Sequence, residues 1–286
     1  MDEHYFGDMR FLEVSPPIAL KPFVNRYYLY ENLDERFRRC SFRALPNGMV
    51  EIVLLFNNNR VIFITNRQKV VLSGFIAGIF ELNHSMKLKV EVNGKPLRGI
   101  SVLLTHLGVN RILGVNLCEL TNKVIEFSSF GWAALSRLHH DVMEMEETRE
   151  KLKNLNDFFL SQITANRHAS QRILIVLNHL EHMSGPLTVE RVAGEFSLSY
   201  KSLYRMFVEE VGLTPKMYLK ILRFNLACRI LSRQPSVSWA DLVDRCGYYD
   251  QSHFIHEFKA IMKKSPLRYL KSSRGSFYLN RPYVFR

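Results

Sequence analysis

Two periodicities run along the chain, and one gives way to the other near residue 130. Before that point, short apolar and β-branched runs alternate with tight turns. In Arg43–Asn57 (RALPNGMVEIVLLFN) a Pro-Asn-Gly turn precedes a Val/Ile/Leu run, Asn57–Arg60 is a second turn, and Val61–Thr65 (VIFIT) is a further β-branched run. Met86–Gly94 (MKLKVEVNG) alternates apolar and polar residues and stops at Asn-Gly, the pattern of a half-buried strand. Ile100–Thr105 (ISVLLT) is another strand candidate. Short strands joined by tight turns predict an antiparallel barrel or sandwich over residues 1–130 rather than a doubly wound sheet.

The later residues follow a helical period. Leu152, Leu155, Phe159 and Ile163 recur at intervals of three, four and four, which places them on one helix face. That stripe packs either on the first domain or on the same helix of a second copy. A helix from about Ser170 to His182, with Ile173, Val176, Leu177 and Leu180 apolar, is then broken by Ser-Gly-Pro at Ser184–Pro186.

From Leu187 the pattern becomes a repeated unit. In LTVERVAGEFSLSYKSLYRMFVEEVG, Thr188 can cap a helix that buries Val189, Val192, Ala193 and Phe196. After a short turn around Ser197–Ser199, Ser199 can cap a second helix with Leu203, Met206 and Phe207 inward. Lys201, Tyr204, Arg205 and Val208 then face outward. Small Ala193 allows the close approach that two helices crossing over a short turn require. The unit returns in Ser238–Leu270, where Ser238 caps a helix containing Ala240, Leu242 and Val243, and Cys246-Gly247-Tyr248 makes the turn. Phe254, Phe258 and Ile261 point inward, while Ser252, His253, His256 and Lys259 point out. Pro215–Leu231 joins the two units as one helix of about four turns. Such rigid spacing is useful if both outward helices bind one object, and two insertions into one face of B-DNA lie roughly 34 Å apart.

Charge sharpens this picture. The chain has 39 Lys/Arg against 27 Asp/Glu, a net charge of +12. Residues 187–286 hold 17 of those cations against 8 of the anions, so the repeated unit is the basic part and a polyanion is its expected partner.

These residues resemble the AraC/XylS-type transcriptional regulators. The resemblance is carried by LTVERVA, S-x-x-x-L-x-R-x-F at Ser199–Phe207, G-L-T-P-x-x-Y-L at Gly212–Leu219, R-x-x-x-A-x-x-I-L at Arg223–Leu231 and C-G-Y-Y-D-Q-S-H-F-x-x-x-F-K at Cys246–Lys259. Ser-Pro-x-x-Tyr at Ser265–Tyr269 closes it. It implies an all-α module of seven helices over residues 169–271 with two helix-turn-helix motifs. Bases would be read from Lys201, Tyr204 and Arg205 in the first motif, and from Gln251, Ser252, His253 and His256 in the second. The chain departs from the family pattern at Lys263, where Gly is usual, and at His256, where Arg is frequent. Leu45–Asn57, Ser73–Phe80 and Leu104–Phe127 resemble the domain that precedes this module in a subset of these regulators. That second resemblance implies a cupin-like β-barrel, which in better-known relatives holds an effector or a dimer contact.

The expected architecture is therefore α+β and multidomain. It comprises a cupin-like antiparallel β-barrel as sensor over 1–130, a helical linker over 131–168 that includes the Leu152/Leu155/Phe159/Ile163 stripe, the DNA-binding module over 169–271, and a basic aromatic tail over 272–286. Arg205 can fork onto guanine O6/N7, hold a phosphate, or sit in a surface ion pair. Ser199, Lys259, Lys263 and Lys264 are expected on the phosphate backbone, where they position without specifying. Gln251 and Ser252 could instead cap their helix. Leu203, Phe207, Phe254 and Phe258 read as core. The expected partners are double-stranded DNA, a small-molecule effector in the barrel, and a second copy.

Competing chemistries find little support. None of the ten histidines forms the HxH that opens a cupin metal site, and His179 with His182 supplies two ligands without a third. No G-x-S-x-G, GxGxxG or GK[ST] segment occurs. Neither an enzyme, a metal nor a cofactor is expected. Val70–Phe80, the longest nearly apolar stretch, is 11 residues and too short to span a bilayer. The acidic, interrupted N-terminus does not read as a signal peptide, and the four cysteines stand apart from one another, so a cytoplasmic location is expected. A nucleic-acid-binding or scaffold protein without an effector is the remaining alternative.

Overall fold

The computed structural model describes residues 2–6, 9–32, 39–43, 48–56, 60–64, 69–80, 87–91, 97–165, 171–182, 188–234, 236–262 and 264–271. The chain divides into a first unit of residues 1–44, 49–79 and 85–169, and a second of 45–48, 80–84 and 170–286. The Ser-Gly-Pro break at Ser184–Pro186 and the tail from Ser272 lie outside the described residues.

The first unit contains β1 (Asp2–Phe6), β2 (Met9–Val14), β3 (Val24–Asn32), β4 (Arg39–Arg43), β5 (Val50–Leu55), β6 (Arg60–Ile64), β7 (Lys69–Leu72), β8 (Gly74–Ala77), β9 (Lys87–Glu91), β10 (Arg98–Leu104) and β11 (Val124–Glu126). They form two antiparallel sheets. The larger has the order β1-β2-β3-β10-β5-β8-β11, and the smaller the order β4-β9-β6-β7. Among the described residues each sheet keeps two edges, so the expected closed barrel is corrected to a pair of open sheets. Closure requires the edge strands to pair with each other. Instead β1 pairs with β2, and β11, three residues long, pairs with β8 and passes straight into a helical turn at Phe127–Phe130. At the centre of the large sheet, β10 lies between β3 and β5, with Val102 opposite Tyr27 on one side and Ile52 on the other. Ile52–Leu55 and Gly99–Leu104 are buried without alternation, as in strands covered on both faces.

Two short helices, α1 (His106–Gly108) and α2 (Leu117–Leu120), lie between β10 and β11. Two longer ones, α3 (Ala133–Glu144) and α4 (Thr148–Ala165), then pack within the same unit. The segment expected as a linker is thus part of the first unit's body. On α3, Leu135, Leu138, His139 and Val142 are buried. The His139 ring donates from Nε2 to the Leu55 carbonyl at 2.7 Å and lies edge-on to Phe127. Gly74 makes room for it, since a Cβ there would fall 2.6 Å from His139 Nδ1. On α4, Leu152, Leu155 and Phe159 are buried in their own unit and Ile163 is half-buried. Tyr27 of β3 stacks on Phe159, its ring centroid 6.5 Å away, and its hydroxyl donates to Asn156 Oδ1 at 2.8 Å. Buried Lys151 donates to the carbonyls of Val142 and Met145 at the end of α3 and lies over the Phe56 ring at 4.9 Å. The apolar face of α4 is therefore buried largely within its own unit, where Phe159 and Asn156 meet Tyr27 of the sheet.

The second unit is helical: α5 (Gln171–His182), α6 (Val189–Glu195), α7 (Tyr200–Glu210), α8 (Pro215–Arg233), α9 (Trp239–Cys246), α10 (Gln251–Met262) and α11 (Pro266–Lys271). Side-chain oxygens of Thr188, Ser199, Thr214 and Ser238 accept from the first-turn amides of α6, α7, α8 and α9 at 3.1–3.2 Å. Of the 19 residues of α8, Tyr218 packs on Phe207 of α7, and Phe224 packs on Phe258 of α10. One continuous helix, about 28 Å long, thus contributes to the cores of both motifs.

Burial holds His139 neutral by pushing its pKa below the ordinary imidazole value, against a smaller opposite effect of its bond to Leu55. Below about pH 6.5 the unfolded chain takes up a proton that the native ring resists, so the stability from neutral His139 is present above that pH and is lost on acidification. Denaturant titrations should show the wild type losing more stability than His139→Gln between about pH 7.5 and 5.5. Equal losses would mean that His139 does not couple folding to pH.

Candidate nucleic-acid interface

The outward faces of α7 and α10 follow from what each helix buries. In α7, Leu203, Met206 and Phe207 are sequestered, and Ser199 fixes the start. Tyr200, Lys201, Tyr204, Arg205 and Val208 are left exposed. The preceding turn is tight: Leu198 N–H donates to the Ala193 carbonyl at 2.8 Å, and Ser197 takes a positive φ of 50°. In the second motif Gly247 occupies the left-handed position, with φ 69°, which a glycine adopts without strain. The Tyr200 and Tyr204 rings are stacked at 6.3 Å with 24° between their planes.

In α10, Phe254, Glu257, Phe258 and Ile261 form the buried face. Gln251, Ser252, His256 and Lys259 are exposed, as are Ser199 and Lys264. Lys263 lies outside the described residues. The first-turn amide of His253 is taken by Asp250 Oδ1 at 2.7 Å, which caps the helix and leaves the Gln251 and Ser252 side chains on its outer surface. His253 is placed differently from the other expected base readers. Its Nε2 donates to Glu257 Oε1 at 3.2 Å, and its Nδ1 accepts from the Tyr249 amide at 3.4 Å. Both ring nitrogens are thus engaged within the motif.

Beneath α10 sits a buried carboxylate that sequence reasoning missed. Glu257 is 5% exposed, and its Oε1 meets His253, Arg223 at 3.4 Å and Lys220 at 3.5 Å. The Arg223 guanidinium lies over the Tyr248 ring at 5.7 Å. Glu257 Oε2 and the Tyr248 hydroxyl are buried with no hydrogen-bond partner among the described residues. The two cations belong to α8, so the cluster fastens the connecting helix to the second outward helix. The signal was legible in the spacing, because Glu257 stands three residues after Phe254 and four before Ile261. Tyr200 and Tyr249, exposed by 59% and 91%, were also missed, although Tyr200 is one turn before Tyr204.

Elsewhere in the unit, His179 donates to Glu195 Oε2 at 2.6 Å and sits edge-on to Phe196, while Arg191 reaches Glu195 Oε1 at 2.9 Å. These bonds hold the Glu195 carboxyl below the usual carboxylate range. The buried thiols Cys228 and Cys246 are pushed up by desolvation, Cys246 to about 12, far from a reactive thiolate. Among the described residues no group of three or more His, Cys, Asp and Glu is arranged to hold a metal ion, and no helix is long and apolar enough to cross a membrane.

Residues 192–272 match a helix-turn-helix domain, and residues 12–126 match a domain of unknown function (DUF6597). The chain is similar to the HTH-type transcriptional activator RhaS of Escherichia coli, with 35% identity over 111 residues, which cover 38% of this chain and 39% of RhaS. The match thus spans well under half the length of that relative. In three dimensions the chain is similar to unsaturated-fatty-acid-bound ToxT of Vibrio cholerae, with a TM-score of 0.50 and 12% identity over 90% of this chain and 96% of ToxT. That is a likeness of fold.

The buried carboxylate makes the second motif testable by itself. Glu257→Ala strands two α8 cations and should cost about 2–3 kcal/mol, whereas Phe254→Ala, which opens a core cavity, should cost about 3–5 kcal/mol. Trp239 packs on Phe254 and reports this unit in urea titrations of a Trp132→Phe background. A Glu257→Ala loss under about 0.5 kcal/mol would show the cluster behaving as a surface ion pair.

Proposed function

We propose that the chain is an AraC/XylS-type transcriptional regulator that binds double-stranded DNA in a sequence-specific manner by placing α7 and α10 in successive major-groove segments. The observation that carries this reading is that one continuous helix, α8, packs into the cores of two capped helix-turn-helix motifs whose outer faces are exposed. The cationic surplus of residues 187–286 supplies the attraction to phosphate.

In this reading Arg205 forks onto guanine O6/N7, with Lys201 and Tyr204 beside it. Gln251, Ser252 and His256 meet base edges from α10, and His253 acts on them indirectly by holding the helix start. Ser199, Lys259, Lys263 and Lys264 serve the phosphate backbone. Both reading helices belong to one chain, so one copy spans two groove segments. The first unit is the regulatory part, where a small-molecule effector would act. A second copy would have to use something other than Leu152, Leu155 and Phe159, which are buried in their own unit.

Selection from random duplexes with the intact chain should enrich a defined motif, and its affinity should fall steeply with salt as counterions are released. Arg205→Ala should cost about 1–3 kcal/mol on the selected site and relax base preference at one position. Lys264→Ala should weaken selected and random duplexes alike and lower the salt slope by about one. Selection that enriches no motif overturns sequence-specific binding, and equal losses on both duplexes for Arg205→Ala reassign it to phosphate.

A further inference from the structure

The outer surface of α7 carries more apolar area than a phosphate-binding helix needs. Tyr200, Tyr204 and Val208 are 59%, 41% and 40% exposed, and they stand at intervals of four, along one line of the helix. Isolated exposed apolar side chains are ordinary, but three in line beside a cationic row are not isolated. Lys201 and Arg205, each one residue on from a tyrosine, form that row. The stacking of Tyr200 on Tyr204 restrains both rings, and a tyrosine has only two side-chain torsions to fix, so the platform is ordered at small entropic cost.

We propose that this line reads thymine through its 5-methyl group, with Tyr204 and Val208 meeting the methyl and Tyr200 positioning Tyr204. The inference rests on α7 being a DNA-reading helix and deepens that reading by naming the base chemistry. In the major groove a thymine presents one apolar group, its methyl, next to one hydrogen-bond acceptor, O4. A surface that sets an apolar line beside cations complements that arrangement, and the basic balance of the region favours a nucleic acid over an acid-poor protein face. The outer face of α10 differs in kind. Ser252, His256 and Lys259 can form hydrogen bonds there, and its apolar member, Ile255, is partly buried against the core. The two helices are therefore matched to different chemistry, a thymine-bearing segment under α7 and a segment read by hydrogen bonds under α10.

Replacing each thymine of the selected duplex singly by uracil deletes the methyl and nothing else. The intact wild-type chain should lose about four-fold in affinity at one or two positions, the worth of one buried methyl group. Tyr204→Ala and Tyr200→Ala should narrow the thymine-to-uracil affinity ratio at those positions, whereas Tyr204→Phe, Tyr200→Phe and Arg205→Ala should keep it. Unchanged helical circular dichroism shows that the exposed-site variants remain folded. A selected site that is bound specifically yet has no uracil-sensitive thymine overturns the proposal and leaves DNA reading intact. So does a thymine-to-uracil ratio that both alanine variants retain, which would leave the stripe to a protein partner. Selection that yields no motif removes the underlying function instead.

Discussion

What each outward helix can offer a ligand depends on how firmly its inward aromatic residues are held. Phe207, Phe254 and Phe258 are fully buried, and burying one such side chain is worth roughly 1.5–3 kcal/mol. A turn of α7 or α10 about its own axis would drag those rings toward water and sink the outward cations into the core. Tyr218 and Phe224, on α8, supply partners to both sets of rings. The connecting helix is thus a common wall, and the direction in which Arg205 and His256 point is set by hydrophobic burial on the opposite side of their helices.

Electrostatics then trims what packing has placed. Glu257 sits on the buried face of α10, where a lone carboxylate would be costly, and three nitrogen groups converge on one of its oxygens. The same arrangement turns His253 from an outward group into a strut. Lys151 does comparable work in the first unit, where its ammonium closes the end of α3 and its pKa is pushed down by burial. Each of these charged groups joins two elements that are separate in sequence.

The first unit shows a different balance. Its large sheet stays open, yet its central strands are covered on both faces, and α4 buries Leu152, Leu155 and Phe159 in the same unit, with Phe159 on Tyr27 of the sheet. An open antiparallel sheet needs cover wherever its faces are apolar. Here the chain supplies that cover from its own helices. Most of the stripe that could have served a second copy, Leu152, Leu155 and Phe159, is buried in its own unit, where Tyr27 is bonded to Asn156.

The sequence alone carried the local physics. Cap residues Thr188, Ser199 and Ser238, the buried positions of α7 and α10, and the exposed Lys201, Arg205 and His256 all follow from spacing within a turn or two, because caps and helix faces are decided by near neighbours. The strand segments near Val50, Ile62, Lys89 and Val102 were legible for the same reason. Whether those strands closed a barrel was not, since alternation fixes which face a residue takes but not which edges pair. The roles of Glu257 and His253 also waited on the tertiary structure. Glu257 meets Lys220 and Arg223 across more than thirty residues of chain, and only the packing of α8 against α10 decides that a carboxylate there binds inward and draws the histidine with it.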